Sequence, residues 1–328
     1  MDGTVSRKVF VGGLPCSYPS SHIEDDLFNM FRVFGPLTVT WPGKKHFGGG
    51  KDIKGYVFLL FEEEASVHRL LSVCKMCERG LYYIEVTFLE GARLTRAIRP
   101  YSALSVGQQL VQNYFAHHNQ RRYQQNFQTQ QAFQQQLEQQ KKRLHIQPWF
   151  LRDRWVFLDE PSDLLHRQTI FVGGVPRCIK ASELAEKLEA TFPGVRYVGL
   201  DVDREFLFPK GAARATFFTS EAYRAALKAR FLSFVYSDHR GQERKKVLEI
   251  KPYIVDEMDC DSCLRGLTRL GVPPVAEGPR SPALLYCPHL TCLSYLCIAC
   301  FIRLHPLSDP ELASHRPLSK DPKIKIDG

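Results

Sequence analysis

An α+β chain is what this sequence predicts: two βαββαβ units in tandem, then a small cross-braced domain rich in cysteine. Three observations carry that prediction. A strand motif occurs twice, as KVFVGGLP at 8–15 and TIFVGGVP at 169–176. The same order of strand and helix patterns follows each copy. Six of the ten cysteines fall between Cys260 and Cys300.

Each motif is β-branched and aromatic and closes in Gly-Gly, which reads as a strand entering a turn. An amphipathic helix follows. In the first copy Ile23, Leu27, Phe31 and Phe34 recur at helical spacing until Gly35. In the second, Leu184, Leu188 and Phe192 do so before Pro193 and Gly194, with Ser21 and Ser182 suited to N-cap or first-turn positions. Second strands are LTVTW (37–41) and VRYVGLDV (195–202), and third strands are KGYVFLLF (54–61) and KGAARATF (210–217). Helices then begin near Glu62 and Ser220. Val67, Leu70 and Leu71 share a face of the first, and Ala222, Ala225, Ala226 and Ala229 give the second a small-residue face for close packing. IRPY (98–101) and IKPY (250–253) read as the final strands.

The end of the first unit has two readings. IRPY gives a unit of ordinary length and is preferred on that ground. A strand at 144–149, within HIQPWFLRD and the residue before it, is the alternative, and would place the intervening tract inside the unit. That tract is glutamine-heavy, as in QQNFQTQQAFQQQLEQQKKR, and reads as a loose helix or a disordered insert. The resulting division is 7–101, a linker at 102–167, a second unit at 168–254 and a cysteine-rich domain at 257–320.

KGYVFLLF resembles the octamer of an RNA-recognition motif, basic-Gly-aromatic-Gly/Ala-Phe-Val-x-aromatic. It departs at Val57 and, conservatively, at Leu59. VFVGGL resembles the partner hexamer. The resemblance implies a ferredoxin-like four-stranded sheet in which these two strands are central neighbours. Alternation then puts Tyr56 and Phe58 on one face with Phe10 beside them, free to stack on unpaired bases, and leaves Val57 and Leu59 to the core. Lys54 opens the octamer as its basic residue. The bland alternative, ordinary strand hydrophobes, is outweighed by the octamer and the element order together. In the second copy Ala212 and Arg214 stand at the two aromatic positions, and Phe171 remains on the first strand. Arg214 can stack through its guanidinium plane or pair with phosphate, as can Lys210 by charge. A degenerate unit used for protein contacts is the competing reading, and the tandem arrangement favours RNA.

The cysteine-rich end reads Cys260-x2-Cys263, Cys287-x4-Cys292 and Cys297-x2-Cys300, followed by His305 and His315. Eight thiolate or imidazole ligands suffice for two tetrahedral zinc sites. Alternating pairs suggest a cross-brace, with Cys260, Cys263, Cys297 and Cys300 on one ion and Cys287, Cys292, His305 and His315 on the other. The segment is short, so metal would supply much of its folding energy. Disulfides are the weaker alternative in a reducing compartment. His289 competes with the other histidines. Cys74-x2-Cys77 has no second pair nearby, lies at a helix end and reads as structural.

The formal net charge of +9 suits an anionic partner. No apolar run is long enough to span a bilayer, and MDGTVSRKVFVGGLP lacks signal-peptide architecture. The expected compartment is the cytoplasm, with the nucleus as a second. HFGGGK (46–51) is followed by Asp52 where a phosphate-binding loop needs Ser or Thr, so it reads as a connection between strands. No enzyme is expected.

Taken together, KVFVGGLP, FRVFGPLTVTWP (31–42), KGYVFLLF, TIFVGGVPR (169–177), PKGAAR (209–214), IKPY and the cysteine–histidine series resemble the cytoplasmic polyadenylation element-binding protein family. Members carry two RNA-recognition motifs followed by a ZZ-type double-zinc domain. The resemblance covers nearly all of the chain from Ser6 to Ser319 except the glutamine tract. It implies binding to U-rich elements in messenger RNA 3′ untranslated regions, control of polyadenylation and translation, and recruitment of translation or polyadenylation factors through the zinc domain. It also makes Trp41 a candidate RNA contact, against packing at the sheet edge. Family members usually carry a long regulatory region before the first motif, whereas this chain begins almost at its first strand. The rivals are a RING-like ubiquitin ligase with RNA-binding modules and a protein-interaction scaffold. The terminal histidines disfavour the first and the exposed aromatics the second.

Overall fold

The computed structural model describes residues 3–14, 23–41, 55–78, 80–87, 141–158, 166–238, 241–255, 257–265 and 281–319. Ser21, Lys54, HFGGGK, IRPY and the glutamine tract fall outside these residues. The first βαββαβ unit forms most of one compact unit, and the second shares another with the cysteine-rich domain.

The first module runs β1 (Lys8–Gly12), α1 (Ile23–Phe31) prolonged by a 3-10 turn to Phe34, β2 (Leu37–Thr40), β3 (Tyr56–Phe61), α2 (Glu64–Val73), β4 (Lys75–Met76), β5 (Tyr82–Thr87) and β6 (Lys141–Gln147). Its sheet has the order β2-β3-β1-β6-β5-β4. Strand alternation sends Val9, Val11, Val57, Leu59 and Phe61 inward, against Leu27, Phe31, Val67, Leu70 and Leu71 of the helices, and all are buried.

The preferred end of this module needs correction. Both edges of β1 are taken, one by β3 and the other by β6, with Phe10 opposite Gln147 and Gly12 opposite His145. The strand beside β1 is therefore 141–147, close to the alternative 144–149 rather than to the preferred IRPY. β6 earns it by alternation, with Leu144 and Ile146 buried and Arg143, His145 and Gln147 on the other side. β5 pairs with β6 from Tyr82–Ile146 to Thr87–Lys141, so residues 88–140 are an insertion between two paired strands. Module length was a poor guide because closure entropy grows slowly, by only about 0.6 kcal/mol for each doubling of a loop.

The second module runs β7 (Trp155–Phe157), β8 (Thr169–Gly173), α3 (Ala181–Thr191), β9 (Val195–Val202), β10 (Pro209–Phe217), α4 (Ser220–Ala229), β11 (Phe231–Ser237) and β12 (Glu243–Pro252). The sheet order is β11-β12-β8-β10-β9-β7. Four strands reproduce the expected set, and β7 and β11 extend it at its edges. The side chain of Thr219 caps α4 by accepting from the Ala222 N–H at 3.2 Å. The buried face of α4 is Ala222, Tyr223, Ala226 and Leu227. Ala225 and Ala229 face solvent, because the helical period carries them past the stripe that Tyr223 and Leu227 complete.

The cysteine-rich domain has α5 (Asp261–Arg265), the hairpin β13 (Leu285–Cys287) and β14 (Ser294–Leu296), α6 (Ile298–Leu304) and α7 (Pro310–Ala313). Its small core is Cys260, Leu285, Cys287, Leu296, Cys300 and Phe301. It joins the second module through buried polar contacts. The Tyr223 and Tyr286 hydroxyls meet at 2.9 Å, and the Tyr295 hydroxyl accepts from the Val255 N–H at 2.9 Å. Asp261, itself buried, pairs with Arg167 and accepts from the Tyr295 N–H at 2.8 Å. Among the described residues no helix is long and apolar enough to cross a membrane.

Candidate nucleic-acid interface and metal centres

On the first module the register of β1 against β3 sets Phe10 opposite Phe58 and Gly12 opposite Tyr56. All three rings project from the face away from the helices and remain partly exposed. Phe10 stacks with Tyr56 at 5.2 Å between centroids and meets Phe58 edge-on at 5.9 Å, and Tyr56 meets Phe58 edge-on at 6.0 Å. The Lys8 ammonium lies 4.7 Å from the centre of the Phe58 ring. The aromatic trio and its cation thus form one surface suited to flat, unpaired bases joined by phosphates. Trp41, just past β2, is partly buried and packs against the module's core. That packing leaves only part of its ring available to a ligand.

The second module repeats the register, with Arg214 opposite Phe171 and Ala212 opposite Gly173. Arg214 stands where Phe58 stands in the first. Its guanidinium pairs with Asp201 at 3.2 Å, reaches the Tyr253 hydroxyl at 3.4 Å and lies over the Tyr253 ring at 5.4 Å. On β12, Lys251 pairs with Glu249 at 2.9 Å. Lys210 is exposed at the start of β10. This face therefore presents guided cations where the first presents rings. Asp201 and Tyr253 were not anticipated from sequence as Arg214's partners, because β9 and the end of β12 approach it only in the folded sheet.

Two groups of metal-ligating side chains converge in the cysteine-rich domain. Cys260, Cys263, Cys297 and Cys300 form one, and Cys287, Cys292, His305 and His315 the other, with ligand atoms within 4.8 Å of one another in each. Tetrahedral zinc, with Zn–S of about 2.3 Å and Zn–N of about 2.0 Å, requires ligand separations of about 3.4–3.8 Å. Cys263 and Cys300 sulfurs are 3.7 Å apart. Cys292 Sγ is 3.4 Å from both His305 Nε2 and His315 Nδ1, and Cys287 Sγ is 3.6 Å from His315 Nδ1. These separations fit. The His305 Nδ1–H donates to the Phe301 carbonyl at 3.0 Å, which leaves Nε2 as the ligating atom.

The electrostatics agree. The Cys292 thiol is pulled down to about 4, chiefly by hydrogen bonding with Cys287, with His305 and His315 adding to it against the opposing effect of burial. Burial, then hydrogen bonds with Cys260 and Cys300, pushes the Cys263 thiol up to about 12. Crowded thiols resist joint ionisation, and a divalent cation removes that resistance. His289, the competing histidine, is exposed and stacks on His315 at 3.8 Å, outside the ligand group. Cys74 caps the end of α2, donating to the Leu70 carbonyl at 3.2 Å, and burial raises its thiol to about 12, as suits a structural, neutral side chain.

Comparison with known proteins agrees with this geometry. Residues 6–95 match the model of an RNA recognition motif, and residues 245–321 that of a cytoplasmic polyadenylation element-binding protein ZZ domain. The translational regulator orb2 of Drosophila melanogaster is 34% identical over 325 residues, covering 98% of this chain and 36% of that protein. Cytoplasmic polyadenylation element-binding protein 1 of Caenorhabditis japonica is 30% identical over 326 residues, covering 95% of this chain and 42% of that protein. The chain thus spans about two fifths of the length of the relatives it matches.

Proposed function

Because this chain belongs to the family of cytoplasmic polyadenylation element-binding proteins, we propose that it binds U-rich elements in messenger RNA 3′ untranslated regions and so regulates polyadenylation and translation. The stacked trio of Phe10, Tyr56 and Phe58 is the observation that carries this reading. Each ring offers a π-face to an unpaired base, worth roughly 1–3 kcal/mol per base. Trp41 and Lys54 extend this site, and Phe171, Lys210 and Arg214 form its counterpart on the second module. The Arg214 guanidinium, aimed by Asp201 and Tyr253, meets a phosphate or a base face. The proposed activity is binding, with no catalytic step, and its proposed setting is the cytoplasm and, secondarily, the nucleus.

Two zinc ions are proposed, one per ligand group, each holding together chain segments that a small core cannot. The zinc domain serves as an adaptor for translation or polyadenylation factors. The RING-like ubiquitin-ligase alternative is disfavoured because the ligand series ends in two histidines, His305 and His315, rather than in Cys-x2-Cys.

The test is affinity for a U-rich single-stranded RNA at fixed moderate salt, with an A-rich strand of equal length as competitor. Tyr56→Ala with Phe58→Ala collapses binding if the reading holds. Wild-type affinity in that variant refutes RNA stacking, and equal affinity for the two strands refutes U-rich selectivity. Metal analysis of the intact chain is expected to find two zinc ions.

A further inference from the structure

We propose that Trp155, Phe157 and Tyr197 form a second base-stacking site, built on the edge strand that the second module adds to its sheet. This rests on the reading of the chain as an RNA binder and adds a site to it. β7 pairs antiparallel with β9, setting Trp155 opposite Gly199 and Phe157 opposite Tyr197. Period-two alternation puts Trp155 and Phe157 on one face and Val156 on the other. That face is the open one: Tyr197, Gly199 and Asp201 share it along β9, and Asp201 there pairs with Arg214, which stands opposite Phe171.

The rings form a ledge. A Cβ at Gly199 would lie 2.2 Å from the Tyr197 hydroxyl oxygen and 2.8 Å from its Cζ, so the Tyr197 ring leans along its strand over the glycine. Phe157 lies on Tyr197 at 4.8 Å between centroids, tilted by 45°. Trp155 meets Phe157 edge-on at 5.6 Å and remains 48% exposed. A large aromatic left this open on a flat sheet face is poised for a planar partner.

Charge and area identify that partner as a nucleobase of single-stranded RNA. Arg214 is close enough to Tyr197 to interact with it electrostatically, and Lys210 is exposed on the neighbouring strand. The one carboxylate of the face on β9, Asp201, is engaged by Arg214. With Trp155 48% exposed and Phe157 and Tyr197 partly buried, the three rings expose roughly 300 Å², well short of the ~800 Å² that each partner gives to a stable protein interface. The ledge also supplies what this module lacks at its centre, where Ala212 and Arg214 replace the two octamer rings.

The experiment measures binding of the full chain to a U-rich single-stranded RNA at fixed salt, with three variants and a 5-iodouridine-substituted strand for photocrosslinking. Trp155→Ala is expected to weaken binding about tenfold, Trp155→Tyr to restore most of it, and the wild-type chain to crosslink at Trp155. Tyr56→Ala with Phe58→Ala is run alongside. Loss of affinity in that double variant, with wild-type affinity in Trp155→Ala and no crosslink at Trp155, overturns the ledge and leaves the RNA reading standing. The same overturning follows if Trp155→Tyr binds as weakly as Trp155→Ala, because a stacking face would then not be what matters. Wild-type affinity in the double variant overturns the trio as the stacking site, and failure of the wild-type chain to bind the strand overturns the RNA reading itself. The crosslink needs no substitution, so it decides the matter even if a variant misfolds.

Discussion

The two modules place different chemistry on one scaffold. Phe10 faces Phe58 in the first and Phe171 faces Arg214 in the second, in the same register. Beneath these residues the core positions stay apolar, with Val57 and Leu59 in one and Ala213 and Ala215 in the other. An open sheet face contributes little to burial, so its residues can change while the inward alternation that stabilises the fold persists. A module that has lost its octamer aromatics has therefore not lost its fold. It has exchanged central rings for a positioned cation and carries other rings at its edge.

The largest expected difference between the modules comes from metal removal. Structural zinc sites are worth about 10 kcal/mol or more of apparent folding energy each. Chelation is expected to unfold the cysteine-rich domain and to destabilise the second module, whose α4 meets it through Tyr223, while the first keeps its hydrogen-exchange protection. Ligation needs deprotonated thiols and neutral imidazoles, so protons compete with metal. Zinc release, followed with a colorimetric chelator, should therefore increase as pH falls and reverse as it rises.

Next is the loss of two stacks in Tyr56→Ala with Phe58→Ala. This should weaken RNA binding by roughly 2–6 kcal/mol, seen by fluorescence anisotropy. Replacing Ala212 and Arg214 by Tyr and Phe should give the second module the trio of the first and raise affinity for the same strand.

The second glycines of the repeated motif sharpen the comparison by stability alone. Gly13 has a φ of +87°, and a Cβ there would lie 2.7 Å from the Arg143 carbonyl oxygen. Gly174 has a φ of +77° but 3.7 Å of clearance to the Val247 carbonyl oxygen. Gly13→Ala should cost roughly 2–3 kcal/mol, combining backbone strain with a clash. Gly174→Ala should cost about 1–2 kcal/mol for the left-handed backbone alone. Denaturant unfolding of the two variants measures the gap.

The smallest effect is expected from Tyr223→Phe, which removes one buried hydroxyl pairing with Tyr286. About 1 kcal/mol should be lost from the second module and nothing from the first.

Much of this was legible in the sequence because it is local. Alternation in KGYVFLLF sorts Tyr56 and Phe58 from Val57 and Leu59 without knowledge of the neighbouring strands. Paired cysteines at short spacing declare a metal turn in the same way. The added strands were not legible: β5 and β11 lie where a four-stranded expectation leaves connections, and β7 is three residues long. Such short runs acquire their identity from the strand they pair with. The place of β6 was misjudged for a related reason, because the residues between it and β5 carry no signal of which strands they join.

By itself the sequence determined the α+β class, the repeat, the aromatic face of the first module and the cysteine–histidine series, since each rests on residue type and spacing within a few turns or strands. Only the tertiary structure decided that residues 141–147 close the first sheet, that Asp201 and Tyr253 aim Arg214, that His305 and His315 rather than His289 join the cysteines, and that Trp155 and Phe157 meet Tyr197. Those choices depend on which distant segments share an edge or a cavity. Pairing and packing across long sequence separations settle them, and no local pattern encodes them.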